Sequence, residues 1–242
     1  MDNSMLLGLQ AQRVLQRRLE ISASNMANVT TTGFKADSLV LAEYARDPAR
    51  SDDQPNDIRF VRDIGVARDM RQGEIRLTGN TFDLAIEGDG FFTVQGAAGP
   101  VYTRDGAFTL NGSGQLVTSD GRPVLSQGGT PLVFDPQGDQ PTIGRDGTVR
   151  LAGTDVGRLG VVSFANPAAL VKLGDNTWSA GGQASAPADG EVIQGALEDS
   201  NVIAVVELTN LIQISRAYES AARIVRGADE LRQRALDRLG RA

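Results

Sequence analysis

The sequence predicts a mainly β central domain of short antiparallel strands, barrel-like or sandwich-like. N- and C-terminal α-helices flank it and pair as a coiled-coil-like unit on assembly. Three observations lead there. Apolar residues recur at helical spacing over residues 1–28 and again over 196–239. Between them the period changes to two, in short runs bounded by Asp-Gly and Asn-Gly. The 242 residues also include 28 glycines, a content suited to many tight turns. Four segments follow: 1–35, an N-terminal helix with its exit; 36–74, a linker or extended segment; 75–195, the central β domain; and 196–242, the C-terminal helix.

The first helix is expected from about Asn3 to Ala27. Leu7, Ala11, Val14, Arg18 and Ile21 share one face, and Leu15, Leu19 and Met26 widen it. Asp2, Asn3 and Ser4 offer caps, and the Thr30-Thr31-Thr32-Gly33 run ends the pattern. Residues 46–57, from Arg46-Asp47-Pro48 to Pro55-Asn56-Asp57, are charged and nearly free of apolar side chains, which reads as a linker or flexible loop.

From about Ile75 the runs shorten. Asp83-Leu84-Ala85-Ile86-Glu87 and Phe91-Phe92-Thr93-Val94 are separated by Gly88-Asp89-Gly90. Tyr102 to Leu110, Leu116-Val117-Thr118, Leu132-Val133-Phe134, Thr148 to Leu151 and Leu159 to Phe164 continue the pattern. Asp-Gly and Asn-Gly between such runs signal hairpins, because both positions tolerate positive φ.

The last helix is expected to open on Ala196-Leu197-Glu198-Asp199-Ser200-Asn201-Val202. Ala204, Leu208, Leu211, Ile214, Tyr218, Ala221, Val225 and Ala228 then follow at spacings of three and four. Leu211, Tyr218 and Val225 are seven apart, as are Ile214, Ala221, Ala228 and Ala235, giving a coiled-coil-like seam. Isolated helices are marginal in water. The expected seam sets Leu208, Leu211, Ile214, Tyr218 and Val225 against Leu7, Val14, Leu15 and Ile21. The shorter, more polar first helix leaves apolar positions uncovered, so pairing between molecules is expected too.

Composition narrows the function. The chain has no Cys and no His. Ser-His-Asp and Cys-His catalysis, and zinc, haem or iron–sulfur sites built on those ligands, are therefore excluded. A net charge of −6 argues against nucleic acid. No apolar run reaches the length that spans a membrane, so direct membrane insertion is not expected. Met5-Leu6-Leu7 is too short for a signal peptide, and Arg13, Arg17 and Arg18 follow it rather than precede it. The expectation is a cytoplasmic chain or one exported without cleavage. Of the 24 basic residues only Lys35 and Lys172 are lysines.

The remaining motifs read as structure. Gly88-Asp89-Gly90 and Gly153-Thr154-Asp155-Val156-Gly157 match no complete phosphate-binding pattern. The Asp-Gly pairs starting at Asp89, Asp105, Asp120, Asp146 and Asp189 lack the alternating ligands and closing Glu of a calcium loop. No cofactor or metal is expected. Asp83, Glu87 and Asp89 keep open a carboxylate-based glycan hydrolase, since paired carboxylates suffice for that chemistry. Against it stands an aromatic content of 5%, poor for a sugar platform. Asn25, Asn28 and Asn201 stand at helix boundaries, where capping is the ordinary role.

Four stretches carry a resemblance. Residues Ala23-Ser24-Asn25-Met26-Ala27-Asn28-Val29-Thr30-Thr31-Thr32-Gly33-Phe34-Lys35-Ala36 resemble the N-terminal signature of flagellar rod and hook proteins. Thr78-Gly79-Asn80 through Phe91-Phe92 resembles the entry to their central domain, and Tyr102 to Phe108 with Leu116-Val117-Thr118 continues it. Gly195 to Val202, with Glu207 and Arg216-Ala217-Tyr218-Glu219, resembles their C-terminal helix. Departures fall at Ile203 and at Val29-Thr30. The length and the opening Met1 to Leu9 look most like proximal-rod members, with distal-rod or hook subunits as the alternative.

The resemblance implies a structural, non-enzymatic subunit of the bacterial flagellar basal-body rod that polymerises helically through its terminal helices and transmits torque. It implies other copies and other rod subunits as partners, together with the flagellar type III export apparatus, and a periplasmic location reached without a cleaved signal peptide. On this reading Asn25, Asn28, Gly33 and Phe34 shape the bend out of the first helix, and Glu198 and Asn201 start the second. With the seam residues they form the expected assembly interface.

Overall fold

A computed structural model describes residues 3–46 and 58–239. Helix α1 runs Asn3–Ala27 and helix α2 runs Ala204–Leu239. The expected N-terminal helix is found with its expected bounds. The C-terminal helix begins eight residues later than its pattern suggests, because residues 196–203 do something else.

The described residues divide into two units. The first holds α1, α2 and a hairpin of β1 (Asp37–Arg46) and β2 (Ile58–Arg68); the second holds residues 28–36 and 69–202. In the first unit β1 and β2 pair antiparallel from Asp37↔Arg68 to Arg46↔Ile58, with a bulge between Val40 and Leu41. Within the segment expected as linker or extended chain, these strands form a long hairpin. Leu39 is half-buried while Val40 and Leu41 are both exposed, the alternation stepping at the bulge; no tight-turn dipeptide joins the strands, and most of the expected 46–57 loop lies outside the described residues.

In the same unit α1 packs against α2, running antiparallel to it. Gly8, Gln12, Leu15, Leu19, Ser22 and Met26 form one stripe at alternating spacings of four and three, all at least half-buried. Both ends of the stripe are anchored. A Cβ on Gly8 would lie 2.5 Å from Val225 Cγ2, so no side chain fits there while that methyl stays in place. Ser22 meets Glu207.

The second unit is antiparallel β. It begins with β3 (Ile75–Leu77), β4 (Leu84–Glu87), β5 (Phe91–Gly96) and β6 (Gly99–Thr103). A six-stranded sheet runs in the order Val171–Gly174, Thr177–Ser179, β6, β5, Val161–Phe164, Ser185–Pro187. Period-two alternation sends neighbours to opposite faces. Phe92 and Val94 enter a core with Leu84, Phe108, Leu116, Val149 and Leu159, whereas Phe91 joins Tyr102, Phe164, Leu170 and Trp178. Edge-on ring pairs fix both clusters: Phe92–Phe108 centroids lie 5.2 Å apart and Tyr102–Phe164 centroids 4.8 Å.

The turn signals split into two kinds. Asn111-Gly112 and Asp146-Gly147 do join paired strands, and Asp120-Gly121 closes a turn in which Thr118 N donates to Arg122 O. Asp89-Gly90 and Asp189-Gly190 instead carry the chain between sheets: β4 pairs with Glu191–Gln194, not with β5. A local turn preference says nothing about which sheet the next strand joins.

Candidate assembly interface

Residues 196–198 are a strand, not the start of a helix. Ala196, Leu197 and Glu198 pair with Leu77, Arg76 and Ile75 of β3. Their side chains favour helix, but pairing to a distant strand overrides that preference. Glu198 therefore does not start α2.

Glu198 closes a buried charge cluster in the second unit. Its Oε1 accepts from Lys35 Nζ at 2.6 Å and from Gly73 N at 2.9 Å. Its Oε2 accepts from Arg104 Nη1 at 3.1 Å. Lys35 Nζ also donates to Arg71 O at 2.8 Å, and the Arg104 guanidinium donates to Ile86 O and Gly88 O. Lys35 and Glu198 are each 1% exposed. Burial pulls the pKa values of Lys35 and Arg104 down, and the Glu198 charge opposes it in both cases. A compact ammonium suits the slot between one carboxylate oxygen and one carbonyl. That is a structural reason for one of the two lysines. The other, Lys172, places its ammonium 4.5 Å from the centre of the Phe34 ring and 5.7 Å from that of Trp178.

The exit from α1 is held by the same region. Gly33 N donates to Glu198 O at 2.7 Å, and Gly33 has φ +65°. A Cβ there would lie 2.4 Å from the Arg104 carbonyl carbon, so only glycine fits. Phe34 is buried, and its carbonyl accepts from Asn201 N. Asn28 O and Oδ1 accept from the backbone and hydroxyl of Thr31, closing the first turn. Nearby, Asp105 accepts from Thr32 Oγ1 and Ala107 N, and burial pushes its carboxyl pKa up.

Asn25 and Asn201 do not act as simple caps. Asn201 Oδ1 accepts from Ala36 N at 2.8 Å, and its amide donates to Asp69 O and Arg71 O. In the first unit, Asn25 Oδ1 accepts from Asp37 N at 3.0 Å, while its amide donates to Asp37 O and to Glu207 Oε1. Each side chain satisfies backbone groups far away in sequence. The α2 start is marked by Ile203, whose carbonyl accepts from Val206 N and Glu207 N.

The expected seam is only partly inward. Leu15, Val14, Ile21, Leu211 and Val225 are half-buried and Ile214 is buried. Leu7, Leu208 and Tyr218 are exposed, Leu208 to 53%. Val205, Val206, Ile212 and Ile224 join them, leaving α2 with an outward apolar face. Sequence reasoning gave Lys35, Arg104, Ser22 and Glu207 no role of their own, although Lys35, Arg104 and Glu207 lie in the stretches that carry the resemblance and lysine is rare in the chain.

The carboxylates of the hydrolase alternative do not form a catalytic pair. Asp83 is committed to a turn, accepting from Thr78 Oγ1 at 2.7 Å and Asn80 Nδ2 at 2.9 Å, while Glu87 and Asp89 are exposed. Among the described residues no cluster of acidic side chains suits a metal ion, and no helix is long and apolar enough to cross a membrane.

Comparison with known proteins accounts for the whole length. Residues 5–35 match the family model of the flagella basal body rod protein, residues 85–151 that of the flagellar hook protein FlgE/F/G D1 domain, and residues 193–238 that of the flagellar basal body rod FlgEFG protein C-terminal region. The flagellar basal-body rod protein FlgF of Caulobacter vibrioides is 44% identical, covering 100% of this chain and 99% of that protein. FlgF of Mesorhizobium japonicum is 34% identical over 99% of each chain. The rod protein FlgG of Agrobacterium fabrum is 36% identical over 93% of each. The chain belongs to the flagellar basal-body rod protein family, a structural and non-enzymatic family whose members assemble with other rod subunits.

Proposed function

We propose that this chain is a proximal-rod subunit that polymerises through its terminal helices and passes motor torque along the rod. The observation that carries it is the outward apolar face of α2: Val205, Leu208, Ile212 and Ile224 remain exposed after α1 has packed on the other side. A helix with apolar residues on both sides needs a second partner. The full-length likeness to FlgF proteins favours the proximal over the distal rod. The 4-3 stripes on α1 and α2 support coiled-coil pairing. Absence of cysteine suits passage through the flagellar type III export apparatus to the periplasm.

The test substitutes exposed residues, so that the fold is spared. The variant Leu208→Asp with Ile212→Asp, expressed in cells lacking the wild-type chain, is expected to fold and be exported, yet to be missing from isolated basal bodies, leaving cells non-motile. Normal incorporation would remove this face from the interface.

A further inference from the structure

We propose that Glu207 sets the register in which α1 and α2 pair. The heptad pattern alone specifies that register only weakly. Leu211, Tyr218 and Val225 repeat at seven, as do Ile214, Ala221 and Ala228. A slide of one heptad keeps apolar residues at most seam positions, with Arg232 or Tyr218 replacing Val225 against Gly8.

Glu207 fixes the register. Its Oε2 accepts from the Ser22 hydroxyl, and its Oε1 accepts from Asn25 Nδ2 at 3.1 Å. Ser22 and Asn25 are both buried. Asn25 cannot follow a moving partner, because its Oδ1 accepts from Asp37 N at 3.0 Å and its Nδ2 also donates to Asp37 O at 2.8 Å. A one-heptad slide brings Ile214 opposite Ser22 and Asn25. A buried hydroxyl and a buried amide hydrogen then lose their acceptor, and the carboxylate loses both donors. A single polar position in an apolar seam specifies register in this way. The inference concerns pairing within one chain and stands whether or not the rod reading does.

The absence of cysteine makes disulfide reporters unambiguous. A Cβ at position 8 would lie 3.9 Å from Val225 Cβ, within disulfide range. In the full-length purified chain, Gly8→Cys with Val225→Cys reads the native register. Gly8→Cys with Tyr218→Cys or with Arg232→Cys, each also carrying Val225→Ala to remove the methyl that would meet the new Cβ, reads a slide of one heptad either way, each site being roughly 10 Å further along the helix. With Glu207 present, the native pair is expected to exceed either slid pair by at least about tenfold. Glu207→Leu should bring a slid pair to a comparable yield, and Glu207→Gln, which keeps an acceptor, should restore the native pattern. Two results overturn the proposal. One is Glu207→Leu giving the native pair alone; the other is loss of the native pair with no gain in a slid one, which would make Glu207 a stabiliser and not a register determinant.

Discussion

Lys35 Nζ lies 2.6 Å from Glu198 Oε1, an ion pair closed across 163 residues of chain with both side chains 1% exposed. The carboxylate also faces the Arg104 guanidinium, so one anion serves two buried cations. Removing one partner of such a pair leaves an uncompensated buried charge, at about 3–5 kcal/mol. Glu198→Leu orphans both cations, whereas Lys35→Met leaves Glu198 paired with Arg104. Glu198→Leu is therefore expected to cost more than Lys35→Met. Urea unfolding followed by fluorescence of Trp178, the single tryptophan and fully buried in the second unit, reads the difference.

Asp105 should respond to pH in a defined direction. Burial raises its folded pKa above the usual 3.8. The folded state then holds its proton more tightly than the unfolded state, so the stability it contributes is present below the unfolded pKa and is lost as pH rises through the folded value. At pH 7 the charged form is a burden. Its donors Thr32 Oγ1 and Ala107 N both reach Oδ1, which an asparagine retains. Asp105→Asn should raise stability at pH 7, with the gain shrinking as pH falls below the raised pKa. Thermal melts across pH 3–7 check it; a pH-independent difference would refute it.

Gly33→Ala should be among the most damaging small substitutions in the chain. It forces a left-handed residue to carry a Cβ and drives that carbon to 2.4 Å from the Arg104 carbonyl carbon. Strain of this kind costs on the order of 1–3 kcal/mol before backbone shifts are added. The Trp178 signal is again the readout, and a melt within error of the parent would contradict the geometry.

What was legible in the sequence was what local periodicity encodes. The bounds of α1 were readable because a Thr run and Gly33 end a clear apolar repeat. The start of α2 was not, because Ala196-Leu197-Glu198 is good helical sequence whose fate is decided by β3, far away in the chain. The β1–β2 hairpin lacked a tight-turn signal. Asn25, Asn28, Gly33, Phe34, Glu198 and Asn201 could be singled out from the sequence, but their bonds were hidden. Asn201 looked like a cap, and only the fold shows that it serves Ala36, Asp69 and Arg71. Partner identity for Lys35 depends on a closure that no window of sequence contains.

α1 and α2 pair within one chain, and the outer face of α2 is proposed to meet neighbouring subunits. Gly8→Cys with Val225→Cys, oxidised in isolated basal bodies and run on a non-reducing gel, tests this directly. The expected result is a disulfide within a single chain, migrating as monomer, in rods of normal length. Disulfide-linked dimers of adjacent copies would show that the helices exchange partners on assembly, and would contradict it.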